Sequence, residues 1–276
     1  MKVTAGALRA RATSAGALLR HWRDIRGKTQ LDLSFDAGVS QKHISFVESG
    51  RSIPSRQMLL DLAQALDVPL RERNELLLAA GYAPSYSDPA LEAPAMTSIN
   101  RALQRMLRQH EPFPAIVMDR YWNVLMTNEA APLLFNCFVD MSARPVPRNL
   151  LHLMFDPDGM RPFIANWPQT ARGLLARVHR EAVGHVVDLK TKALLEELSR
   201  YPGVKPEWRA PSASDAMPTI LLSFIKDGVT LDYFSLIATV GTPQTVTAEE
   251  LRLECMFPAN DATEAEHGRF IRAHTG

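Results

Sequence analysis

The sequence predicts two domains: an all-α domain of five helices, then an α+β domain built on an antiparallel sheet. Three observations predict this division. Residues 29–51 carry two short helical patterns joined at Ala37-Gly38-Val39-Ser40. A connector follows with prolines at Pro84, Pro89 and Pro94. Beyond it, short apolar runs suited to strands alternate with helical ones. The first domain is placed at residues 1–82, the connector at 83–96 and the second domain at 97–276. With 276 residues, 46% of them apolar and 22% charged, the chain is long enough for two cores and too apolar for disorder.

Helix one is expected over residues 14–26, where Leu18, Leu19, Trp22 and Ile25 recur at helical spacing before Gly27 ends it. In the next pair, Gly38 supplies the positive φ that stops one helix, and Ser40 caps the N–H groups of the following one. At 100° per residue, Ile44, Val47 and Glu48 fall on one side of that second helix. Lys42, Ser45, Phe46 and Ser49 fall largely on the other. Pro54-Ser55 then opens a helix with Leu59, Leu62, Ala63 and Leu66 on one face, and Pro69 starts a fifth that runs to Gly81.

The outward face of the second helix in the pair is poor core material and good groove material. Gln41 can bond adenine N6 and N7 bidentately, Lys42 can reach guanine O6 and N7 or a phosphate, and the Phe46 ring can meet a thymine methyl. The same periodicity would also suit a small helical bundle with no nucleic-acid role.

Thr29-Gln30 at the start of the pair, Ala37-Gly38-Val39-Ser40 at its turn, Glu48 followed by Gly50-Arg51, and Pro54-Ser55 beyond resemble the XRE family of helix-turn-helix regulators, which share the lambda-repressor-like DNA-binding fold. The resemblance implies a DNA-contacting set of Thr29, Gln30, Ser40, Gln41, Lys42, His43, Ser45, Phe46, Arg51 and Arg56. Within it, the family places the counterpart of Gln30 on the DNA backbone and those of Gln41, Lys42 and Phe46 at base edges. It also implies a structural ion pair between Arg23 and Glu48. Phe46 departs from the phage repressors, where a polar residue can stand, so their operators do not transfer.

The longer string from Lys42 to Ser52, with Pro69-Leu70-Arg71-Glu72-Arg73-Asn74, Ala79-Ala80-Gly81-Tyr82-Ala83-Pro84, Gly241 to Thr247 and Glu250 to Ala259, is similar to the MmyB-like transcription regulators. The similarity implies a C-terminal ligand-binding domain of PAS-like fold that holds a fatty-acid-like molecule.

Net charge over the whole chain is +1, which conceals an asymmetry. Residues 1–82 hold 12 Lys and Arg against 8 Asp and Glu, while the remainder holds 19 against 22. The basic half is the one with the groove-reading pattern. Its surplus is modest, so affinity is expected to need two modules in a homodimer and to fall steeply with salt. Cys137 and Cys255 are too few for a disulfide framework and read as core thiols. No apolar run reaches the roughly 20 residues that span a bilayer, and the N-terminus lacks the apolar stretch of a secretory signal, so no membrane partner and a cytoplasmic location are expected.

In the second half, a helix through Ile99, Leu103, Met106 and Leu107 precedes two strands, Ala115–Met118 and Trp122–Met126, turning at Asp119-Arg120. A helix over Glu129–Phe135, mostly helical chain over 168–200, and strands at Thr219–Phe224 and Leu231–Thr239 complete the pattern. His179, His185 and Asp188 lack the spacing and the further ligand of a metal site, and there is no phosphate-binding glycine loop, Gly-x-Ser-x-Gly or Cys-x-x-Cys. No enzyme, metal or cofactor is indicated. Of the many large apolar residues, most must form core. Trp122, Met126, Phe163, Trp167 and Phe234 are the candidates for a ligand cavity, with Asn128 or Arg161 as anchor for a carboxylate. The reading that follows is a dimeric DNA-binding repressor modulated by a small apolar ligand. The alternative is a DNA-binding repressor whose second domain serves dimerisation or protein partners only.

Overall fold

Serine and threonine hydroxyls start the helices of the N-terminal unit. In the computed structural model, which describes residues 14–183, 189–209 and 221–274, Ser14, Thr29, Ser40 and Ser55 each accept a backbone N–H of the first turn that follows. The helices are α1 (Ala15–Ile25), α2 (Gln30–Ala37), α3 (Gln41–Glu48), α4 (Arg56–Ala65) and α5 (Leu70–Ala79). They enclose Leu19, Trp22, Leu33, Ile44, Val47, Leu59, Leu62, Leu66, Leu76 and Leu77, whereas Ile25, on the last turn of α1 and expected with Leu19 and Trp22, is exposed. Thr29 and Asp32 form a reciprocal capping box, and Gly38 ends α2 at φ +64°. α1 crosses α3 closely at Gly16, where a Cβ would lie 2.2 Å from the carbonyl oxygen of Val47.

By their contacts, the chain up to Pro89 and the segment Pro243–Glu249, from far along the sequence, also belong to this unit. Asn74 on α5 holds the first of them, its Oδ1 accepting from the N–H groups of Ser85 and Tyr86 and its Nδ2 donating to the Tyr86 carbonyl.

The second unit is built on a five-stranded antiparallel sheet in the order β2-β1-β5-β4-β3. Its elements in chain order are α6 (Thr97–Gln109), β1 (Ala115–Met118), β2 (Val124–Thr127), α7 (Ala130–Asn136), α8 (Leu150–Phe155), α9 (Trp167–Val183), α10 (Leu189–Arg200), β3 (Leu222–Lys226), β4 (Val229–Ala238), β5 (Arg252–Pro258) and α12 (Asp261–His274). Between β4 and β5 the chain forms α11 (Val246–Glu250), which up to Glu249 belongs by its contacts to the first unit. Short 3-10 turns lie at Pro94–Met96, Arg161–Phe163 and Pro206–Arg209. β4 is the longest strand and its alternation decides the core face: Leu231 and Tyr233 point inward to Phe224, Met256, Phe135 and Phe155.

Three expectations need adjusting. Trp122 is not in a strand: Asp119 Oδ1 accepts from the N–H groups of Tyr121 and Asn123, folding 119–123 into a tight turn in which Trp122 takes φ +66°. The strand placed at Thr219–Phe224 begins at Leu222, with Thr219 and Ile220 outside the described residues. The helical stretch 168–200 is two helices, with residues 184–188 between them also outside the description.

A buried hydrogen-bonded chain ties α12 to the sheet. Tyr233 Oη lies 2.6 Å from His267 Nδ1, and His267 Nε2 lies 2.8 Å from the Pro112 carbonyl. A carbonyl only accepts, so Nε2 carries the proton and Nδ1 accepts from the phenol. Burial pushes the His267 imidazole below the usual histidine range. The unfolded chain therefore takes up a proton that the folded one resists. Stability from this group is fully present above the ordinary histidine pKa and is lost as pH falls below it, by at most about 1.4 kcal/mol per pH unit. Thermal unfolding between pH 7.5 and 5.5 is expected to show that slope in the native chain and a shallower one in His267→Gln.

Candidate nucleic-acid interface and apolar cavity

The DNA-reading candidates are organised around one buried carboxylate. Glu48, at the inward end of α3, accepts from Arg23 Nε at 2.6 Å and Arg23 Nη2 at 3.0 Å. Both partners are nearly closed to solvent, with side chains 10% and 4% exposed. Arg23 Nη1 also donates to the Lys28 carbonyl, and Gln30 Nε2 donates to Glu48 Oε2 at 2.9 Å. The sequence pointed to the ion pair; the third member, Gln30, was visible only as a DNA-backbone candidate. Its bond to Glu48 fixes the start of α2 relative to α3.

With Ile44 and Val47 buried, the opposite face of α3 is presented. Gln41, Lys42 and Arg51 are exposed, and His43, Ser45 and Phe46 are half-exposed. Two cations lie over the Phe46 ring, Lys42 Nζ 5.7 Å and Arg51 Cζ 5.9 Å from its centroid. This explains an aromatic ring on a polar face: it holds both cations at the helix edge. His43 Nε2 is 3.4 Å from Ser52 Oγ, and Arg56 donates to Ser85 Oγ at 2.8 Å. Thr29 and Ser40 serve as the caps of α2 and α3.

In the second unit, a cavity of about 60 Å³ opens beside Trp122, lined mainly by Leu150, Leu151, Met154, Leu174, Leu222 and Met256. Thr170, Arg177, Tyr233, Phe234, Ser235 and Glu254 complete its wall. Two of the candidate ligand residues, Trp122 and Phe234, are on that wall. Met126 pairs with Val117 across β1 and β2 away from it. Asn128 is buried and spends its amide on backbone, accepting from Ala115 and Ala131 and donating to Phe113. Arg161 stacks over Trp167, which packs edge-on against Phe155. Phe163 lines a separate, solvent-open cleft of about 590 Å³ with Phe138, Arg144 and Asp156, where Arg144 already pairs with Asp156.

The cation at the cavity is Arg177, which sequence reasoning passed over. Its guanidinium lies 4.2 Å from the Trp122 ring centroid and 3.2 Å from Glu254, both side chains being about 11–12% exposed. A signal existed. Thr170, Leu174 and Arg177 recur at i, i+4 and i+7 on α9, so the arginine stands on the apolar stripe, and Glu254 shares a strand face with Met256.

Burial pushes up the pKa of the Cys137 and Cys255 thiols, neither of which is in a disulfide. Among the described residues, no cluster of three His, Cys, Asp or Glu side chains could hold a metal, and no helix is long and apolar enough to cross a membrane. The side chains of His179, His185 and Asp188 lie outside the described residues.

Five helices with a capped helix-turn-helix pair, joined to an α+β domain, are the architecture of a DNA-binding regulator with a second domain. Comparison with known proteins agrees: the helix-turn-helix family matches residues 19–73, and the MmyB-like transcription regulator ligand binding domain matches residues 99–267. The chain therefore belongs to the MmyB-like transcription regulators, as an XRE-type DNA-binding regulator with a C-terminal ligand-binding domain. No curated protein matches it. Among solved structures, an RNA-binding light-oxygen-voltage receptor aligns at 12% identity over 99% of this chain and 69% of the other, with a TM-score of 0.26.

Proposed function

We propose that this regulator is a dimeric repressor, working in the cytoplasm, whose two α3 helices enter successive major grooves of a double-stranded operator and whose second unit responds to a fatty-acid-like ligand. The observation that carries the DNA half is the Lys42–Phe46–Arg51 face set over the buried Arg23–Glu48 pair. Two half-sites about 34 Å apart would double the contact set, which a single module of modest charge needs. Gln41→Ala is expected to lose about 1–3 kcal/mol of base discrimination with unchanged melting. Titration of a duplex selected from a random pool, at fixed salt, measures it.

The ligand half is supported by an apolar cavity that carries one cation. Arg177 supplies the charge for a carboxylate, in competition with Glu254, and Leu174, Met154 and Met256 supply adaptable walls. At about 60 Å³ the cavity has room for a few waters only, so a chain-like ligand must displace these side chains to enter. That small volume favours a second reading, in which the domain mediates dimerisation or partner contacts and holds nothing. Native mass spectrometry with sodium myristate separates the two. A retained adduct that Arg177→Met weakens supports the sensor, and no adduct at saturating myristate supports the second reading.

A further inference from the structure

Leu70 opens α5, and its own N-cap position is Pro69, which has no side chain able to accept a hydrogen bond. The acceptor comes from far along the sequence: Leu70 N–H donates to Glu249 Oε2 at 2.7 Å. The carboxylate also meets the positive end of the helix, where negative charge is favoured. Other residues of the same segment bind the stretch after α5. Val246 N–H donates to the Ser87 carbonyl at 2.9 Å, and Thr247 Oγ1 lies 2.9 Å from Asp88 Oδ1 and 2.5 Å from the Pro89 carbonyl. Arg71, in the first turn of α5, pairs with Asp88 at 2.8 Å. By its contacts, Pro243–Glu249 is thus part of the DNA-binding unit.

By its covalent position, however, the segment is the connector from β4 to β5, strands that pair with each other and carry Phe234, Ser235, Glu254 and Met256 of the cavity wall. The next residue, Glu250, pairs with Arg120 at 2.9 Å, both side chains about 10–12% exposed. Arg120 lies in the 119–123 turn whose Trp122 ring faces the cavity and carries Arg177. Consecutive carboxylates are therefore fastened to different units, and adjacent Cα atoms are only about 3.8 Å apart. Little slack separates the two attachments.

We infer that the β4–β5 connector transmits the state of the cavity to the DNA-binding unit, with Glu249 and Thr247 as its grip on α5 and Glu250 as its tie to the Trp122 turn. Whatever moves Trp122 or Glu254 shifts the connector, and the connector caps the helix whose Leu76 and Leu77 pack in the core behind α3. The inference rests on the ligand-controlled reading for its biological use, and its test is independent of any ligand.

The measurement is amide hydrogen exchange at Leu70–Arg73 in the full chain, which reports local opening of the first turn of α5. The cavity is altered by Leu174→Phe, which fills it, and separately by Met154→Ala, which enlarges it. Either is expected to change that exchange at least about five-fold with the native connector, and less than about two-fold in a Thr247→Val/Glu249→Ala background. The second cavity variant keeps the test decisive if the first fails to fold. Exchange that ignores both cavity variants, or follows them equally with the connector released, overturns the inference. A myristate titration of operator affinity runs beside it. No myristate effect together with coupled exchange would defeat the ligand class and leave the route standing, whereas a myristate effect that persists in Thr247→Val/Glu249→Ala would defeat the route and leave the ligand class.

Discussion

Glu48→Ala is expected to lower the stability of the DNA-binding unit by about 3 kcal/mol, the lower end of the cost of breaking a buried pair, because Arg23 loses its buried partner but keeps the exposed Asp24 at 3.0 Å and the Lys28 carbonyl. The Arg23 side chain is 10% exposed, and Gln30 loses its acceptor at the same time. A unit of this size has roughly 5–15 kcal/mol in total, so the variant would be partly unfolded at physiological temperature. Trp22 makes the loss observable, because it is the tryptophan of this unit's core. Urea unfolding followed by its fluorescence should show an early transition. The double variant Arg23→Met/Glu48→Leu is expected to recover much of the loss, since apolar residues of similar volume replace a buried pair at little cost. A Glu48→Ala midpoint matching the native chain would show that the pair is not structural.

Trp122→Ala is expected to cost the second unit about 3–5 kcal/mol, in the range for truncating a buried tryptophan. The ring is 2% exposed, packs in the main cluster and carries Arg177 on its face. Its removal both opens a hole beside the existing cavity and strips a buried guanidinium of its stacking partner. Chemical unfolding followed by far-ultraviolet circular dichroism is the check. A loss under about 1 kcal/mol would mean that the turn collapses to fill the space. Trp122→Phe, which keeps an aromatic face, should fall between the two.

How much was legible depends on how local the cause is. The helix-turn-helix pair was readable because each boundary has a one-residue signal: Gly38 at positive φ, and hydroxyls at Thr29 and Ser40. The faces of α3 followed from the same periodicity, with Ile44 and Val47 buried as expected. In the second unit, the strands were found by their apolar runs, yet Trp122 was drawn into one because a turn set by Asp119 leaves no glycine or proline as a marker. The cavity was largely illegible. Its polar wall joins Arg177 on α9 to Glu254 on β5, residues 77 apart, and only the fold brings a stripe arginine to an inward strand glutamate. Asn128 was placed as an anchor because polar side chains among apolar ones invite that role. Its three backbone bonds show the other use of a buried amide, closing the ends of β1 and α7. The connector motif from Gly241 onward was visible as a string, but a cap offered across 179 residues has no sequence periodicity to betray it.

We propose that Lys42 and Phe46 on α3, with Arg51 just beyond its end, read bases in the major groove. Replacing Phe46 with the photoreactive p-benzoylphenylalanine and irradiating the full chain on a duplex selected from a random pool tests it most directly. The expected result is an adduct on a base within the selected sequence, favouring a thymine methyl. Tight, sequence-selective binding with no base adduct from position 46 would contradict it.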